Sequence, residues 1–104
     1  MKSSKYDSSH QKLIDKKSKY LLSRVSSKDN RAVIRSALDF SVRMHEGQKR
    51  KSGLPYVSHC IDVANILLDW NMDYTTIISA LLHDVVEDTD VSLEDIDSEF
   101  GSCL

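Results

Sequence analysis

The chain has 104 residues, of which 40% are hydrophobic and 29% charged, with a formal net charge of −2. A chain of this length makes one small domain with a modest core, and none of its apolar runs approaches the roughly 20 residues that a membrane-spanning helix needs. The N-terminal residues carry no apolar export core, and Cys60 and Cys103 show no metal or redox spacing, so reduced thiols in a cytoplasmic protein with no membrane partner are expected.

Residues 1–9 are polar and serine-rich and read as a frayed lead-in. From His10 to Val25, apolar Leu13, Ile14, Tyr20, Leu21 and Val25 recur at roughly helical spacing with lysines between them, which predicts a first helix. Ser26-Ser27 breaks it, with Ser27 placed to cap a second helix and Asp29 to favour its first turn. In that helix Val33, Ala37, Phe40 and Met44 form one stripe, widened by Ile34 and Leu38, and Gly47 ends it. Gln48-Lys49-Arg50-Lys51-Ser52-Gly53 follows as an exposed basic loop. A third helix runs from about Pro55, tolerated in a first turn, to Asp69, carrying Val57, Ile61, Ala64, Leu67 and Leu68 on one side together with His59.

Asn71-Met72-Asp73 marks the next break, and Asp73 can cap a fourth helix that is apolar almost all round through Ile77, Ile78, Leu81, Leu82, Val85 and Val86. Such a helix belongs in the middle of a bundle. Ser92-Leu93-Glu94-Asp95 resembles a capping box with Asp in place of Glu and opens a short fifth helix through Ile96 to Phe100. Five helices without a strand signal predict an all-α domain. The chain halts just after Gly101, a helix-stop residue, which leaves open whether it is part of a longer protein.

Charge is unevenly placed. Residues 1–51 hold all 14 Lys and Arg and 5 of the acids, while residues 52–104 hold 11 acids and no Lys or Arg. A basic half suited to phosphates and an acidic half suited to cations is one explanation; balancing charge elsewhere in a longer protein is another.

The acidic half contains Ala80-Leu81-Leu82-His83-Asp84-Val85-Val86-Glu87-Asp88-Thr89. This run is expected to bury His83 and Asp84 inside an apolar helix, where imidazole and carboxylate both lose solvation and a divalent cation would compensate. The i, i+4 rule sets Glu87 one turn beyond His83 and Asp88 one turn beyond Asp84. Three carboxylates near a helix C-terminus repel one another and oppose the macrodipole, a liability that a bound ion with an activated water would turn into a site. A histidine on an apolar face is more often a hydrogen-bonded core residue, and an acidic helix end is usually a solvated surface. The coincidence of Asp84, Glu87, Asp88 and the second histidine His59 favours the metal. His10 and His45, in a polar lead and at a helix end, are expected to be exposed, and Cys60 diverges from His59 by about 100° around the helix. The cations of the basic loop suit a nucleotide through stacking and phosphate contacts. No aromatic interleaving or repeated basic face suggests a nucleic-acid partner.

Arg50-Lys51-Ser52-Gly53-x-Pro55-Tyr56-x-x-His59, followed by Leu82-His83-Asp84-Val85-Val86-Glu87-Asp88-Thr89, closely resembles the HD-type hydrolase domain of RelA/SpoT alarmone enzymes over residues 28–101. The resemblance implies an HD-domain helical bundle of about five helices, with a lead-in and N-terminal helix over residues 1–27 and a partial hydrolase domain over residues 28–104. It implies manganese-dependent removal of the 3′-pyrophosphate from guanosine tetra- or pentaphosphate in the stringent response. It assigns His59, His83 and Asp84 to Mn2+, Glu87 and Asp88 to activation of the hydrolytic water, and Arg50, Lys51 and Ser52 to the guanine nucleotide. Two departures stand out: Cys60 replaces the family's usual proline, and the family's fourth ligand, an aspartate on a later helix, lies beyond residue 104. An HD phosphohydrolase acting on another 3′-phosphorylated nucleotide, and a non-catalytic remnant that binds metal or a partner, are the alternatives. Oligomer formation is left open.

Overall fold

The structure, a computed structural model, describes residues 6–89 and 91–100. Five helices follow in chain order, α1 Ser8–Ser23, α2 Lys28–Met44, α3 Tyr56–Asp69, α4 Tyr74–Asp88 and α5 Leu93–Phe100. The predicted all-α architecture is borne out, each boundary lying within three residues of its expected place. The readings made for residues 1–5, for Gly101 as a helix stop and for Cys103 as a thiol lie outside the described residues.

Local chemistry explains most of the boundaries. Ser27 accepts a hydrogen bond from the Asn30 N–H at the start of α2, and Asp73 accepts one from the Thr76 N–H at the start of α4, as the sequence predicts. The capping box at α5 is reciprocal: the Asp95 N–H donates to Ser92 Oγ at 3.1 Å, and the Ser92 N–H donates to Asp95 Oδ2 at 3.2 Å. At the end of α3 the Met72 N–H reaches Leu67 O and the Asn71 N–H reaches Leu68 O, each at 3.0 Å. This pairing requires a left-handed residue between helix and exit, which Asn71 supplies with φ 58°.

The N-terminal cap is the one that sequence reading overlooks. Asp7, within the expected lead-in, accepts from the His10 N–H and starts α1 two residues earlier than predicted. Tyr6 is anchored as well, its hydroxyl donating to Val42 O at 2.7 Å. Hydrogen bonds hold the carboxyls of both caps below the ordinary aspartate value of 3.8, for Asp7 from the His10 N–H and then the Ser9 hydroxyl, for Asp73 from Thr76. A depressed folded-state value contributes stability that is complete above about pH 3.8 and is lost as pH falls through the lower folded value. The Asp7→Asn/Asp73→Asn double variant, which still caps but does not titrate, is expected to lose less helical signal than wild type between pH 4 and 2. Superimposable acid titrations of the two proteins would contradict these cap assignments.

Packing places α4 at the centre, against both α2 and α3, while α1 closes the other side of α3. Ile14 and Leu21 of α1, Ile34, Ala37 and Leu38 of α2, Val57, Ile61 and Ala64 of α3, and Ile77, Ile78, Leu81, Leu82 and Val85 of α4 form one continuous core, joined by Ile96 of α5. Polar tethers bind α1 to α3: Lys17 Nζ lies 2.7 Å from Asp62 Oδ2, and the Arg24 guanidinium donates to Asn65 and Asp69. Tyr20, expected on the apolar stripe of α1, is 58% exposed with the Arg24 guanidinium over its ring. Ile14 and Leu21 face the core as expected, and Val25 follows just beyond the end of α1.

Candidate functional site

The basic loop is not an open coil. The Gly53 N–H donates to Arg50 O at 2.8 Å, the Arg50 N–H to Leu54 O at 2.9 Å, and the Tyr56 N–H to Gln48 O at 2.9 Å, closing a small hairpin around the Lys49–Pro55 bridge. This is a turn followed by a left-handed residue, a place suited to glycine, and Gly53 fills it at φ +88°. Lys49, Arg50, Lys51 and Ser52 are thereby held on the exposed outer curve of the hairpin. Arg50 reaches back to α3, where a guanidinium N–H donates to His59 Nδ1 at 3.3 Å.

On α4 the motif residues divide between two faces. His83 and Glu87 lie with Thr75 and Ser79 on a solvent stripe at four-residue spacing, and His83 Nδ1 is 3.2 Å from Glu87 Oε1. His83 is 68% exposed, which corrects the expectation that it is buried in an apolar helix. Its apolar neighbours in sequence point around the helix to the other side, because successive residues are turned by about 100°. Asp84 and Asp88 face α3 instead, where the charge of Asp84 acts on the buried thiol of Cys60 and that of Asp88 on the phenol of Tyr56. Burial, followed by the negative charge of Asp84, pushes the Cys60 thiol well above its usual range. Burial, followed by Asp88, Cys60 and Asp84, raises the Tyr56 phenol.

His45 overturns a second expectation. Predicted to be exposed, it is fully buried, with Nδ1 2.8 Å from Ser41 O, Nε2 3.4 Å from Asp88 Oδ2 and its ring 5.6 Å from that of Tyr56. Gln48 adds a side-chain N–H to the carbonyl of Asp88. Residues from α2, the hairpin and α3 therefore meet at the end of α4. The signal for His45 was available, since Ile34, Leu38, Ser41 and His45 follow one another at spacings of four, three and four on a helix face.

The donor types suit a divalent transition metal, with two imidazoles and a carboxylate carried by two packed helices. The side-chain positions do not. His83 turns to Glu87, the guanidinium of Arg50 meets His59 at Nδ1 so that Nε2 is the nitrogen left to serve a metal, and among the described residues no three His, Cys, Asp or Glu side chains converge closely enough to hold an ion. A groove of about 1690 Å3 between α1 and α2 is lined by none of the motif residues, so chemistry rather than volume locates the site. Among the described residues no helix is long and apolar enough to cross a membrane.

Residues 37–103 match the sequence profile of the HD domain. The chain belongs to the HD-domain family. Members of this family are metal-dependent hydrolases, and the RelA/SpoT likeness expected from the motifs is borne out by the relatives of this HD domain. It is 46% identical over 74 residues to the probable GTP pyrophosphokinase of Mycobacterium leprae, a match covering 71% of this chain and 9% of that protein. It is 55% identical over 60 residues to the guanosine-3′,5′-bis(diphosphate) 3′-pyrophosphohydrolase of Vibrio cholerae, covering 58% and 8% respectively. For the protein of the same name in Aquifex aeolicus the figures are 48% over 68 residues, covering 65% and 10%. The HD domain thus spans about a tenth or less of the length of these curated relatives.

Proposed function

We propose that this HD domain hydrolyses guanosine 3′,5′-bis(diphosphate) to GDP and pyrophosphate, with manganese as its metal and the cytoplasm as its place of action. The observation that carries the reading is the contact between Arg50 and His59, which joins a cationic hairpin suited to phosphates to the helix that bears the first of the proposed metal ligands. Two relatives named for this same hydrolysis add support. The hydrolase unit is taken to begin at Lys28, with α1 as a buttress against α3.

In this reading Arg50, Lys51 and Ser52 meet the nucleotide, the guanidinium pairing with phosphate oxygens in its planar fork and Lys51 acting as a point charge. His59, His83 and Asp84 would hold the manganese ion, which when bound supplies a Lewis acid for a phosphoryl oxygen. Glu87 and Asp88 handle protons. Water adds to the phosphorus joined to the ribose 3′ oxygen, its proton passing to a carboxylate; that P–O bond breaks, pyrophosphate departs, and the 3′ oxygen takes up a proton.

Pyrophosphate release from guanosine tetraphosphate with added manganese tests the proposal. His83→Ala is expected to cut turnover by more than the roughly 10- to 100-fold lost when a group supporting a ligand is removed. Unchanged turnover in that variant would reject the ligand assignment. The dispersal of the three donors favours a second reading, a domain that binds metal or a partner without turnover, and calorimetric heat on manganese addition with no pyrophosphate released would select it.

A further inference from the structure

We propose that His45 is a positioning residue for Asp88, setting the orientation of the carboxylate that the reading above assigns to proton handling, and the inference rests on that assignment. His45 and Ser41 are both fully buried, so neither ring nitrogen has water as a partner. The Ser41 carbonyl can only accept, and at 2.8 Å it requires the proton on Nδ1. This main-chain bond fixes the plane of the ring and aims Nε2 at Asp88 Oδ2, 3.4 Å away, where a second proton lying between ring nitrogen and carboxylate closes the contact, while Tyr56 backs the imidazole.

The need for such a brace follows from where Asp88 sits. It is the last residue of α4, with no basic residue in that turn and with Asp84 one turn before it on the same face. Helix dipole and like charge both drive its carboxylate away from this position. A main-chain carbonyl, an imidazole and a carboxylate in series counter that tendency, in the way that an orienting group holds a catalytic base elsewhere. The site therefore contains a carboxylate held from α2, a helix that carries none of the motif residues.

Two substitutions separate positioning from filling space. Gln places its amide nitrogen close to where Nε2 lies and keeps a donor to Asp88, whereas Asn reproduces only the Nδ1 side. In the full chain with manganese, His45→Asn is expected to lower kcat by up to about a hundredfold with KM unchanged, and His45→Gln to restore much of it. Equal kcat in wild type and His45→Asn, or equal losses in both variants, would overturn the proposal. A measurement independent of turnover uses the imidazole 15N resonances of His45, where Asp88→Asn should move Nε2 and leave Nδ1 in place. If the wild type releases no pyrophosphate, the hydrolase reading fails by itself, and the contact is then judged by these resonances, with an unmoved Nε2 overturning it.

Discussion

Asn in place of Asp88 is expected to lower pyrophosphate release by about 10²- to 10⁴-fold, the usual contribution of a positioned acid or base. Asn has nearly the same shape, and the bond from Gln48 goes to the main-chain carbonyl, which the substitution leaves alone. The basicity of the side chain is what disappears. Stability should change little, because removing one of three carboxylates at the end of α4 also relieves repulsion. Turnover within a few-fold of wild type, measured with saturating manganese and nucleotide, would remove Asp88 from the chemistry and leave Glu87 as the remaining proton carrier.

The largest effect on stability is expected from Leu81→Ala. Leu81 is 1% exposed and lies on the central helix, where side chains from several elements surround it. Truncation removes the transfer free energy of the lost methyl and methylene groups and leaves a cavity that packed helices cannot fully close, a cost of about 2–5 kcal/mol. Against the roughly 5–15 kcal/mol of a typical domain, that is a large share. Urea unfolding followed by circular dichroism gives the difference directly. A midpoint indistinguishable from wild type would mean that α4 is not the centre of the core.

Much of the fold was legible because its signals are local. Ser27, Asp73 and the Ser92–Asp95 box each cap a helix through contacts three residues away, and the breaks at Gly47 and Asn71 need only their own backbone angles. The site was legible in part. Motif residues could be recognised by type and spacing, and the hairpin does bring Arg50 to His59. The exposure of His83 is hidden because its apolar sequence neighbours describe the other faces of α4, and the burial of His45 is hidden because a place at a helix end suggests solvent. On α4 the neighbours of His83 point elsewhere, and on α2 the buried stripe ends in two polar residues, Ser41 and His45, that hydrogen-bond each other.

What the amino-acid order determined by itself was the number of helices, their limits and the family to which they belong, since turn chemistry, caps and 3.6-residue periodicity act within a few residues. Only the tertiary structure decided that Asp88 is gripped from α2, the hairpin and α3, and that His83 faces solvent. Those outcomes depend on which faces of α2, α3 and α4 meet, and that is settled by the burial of a shared core assembled from residues distant in the chain.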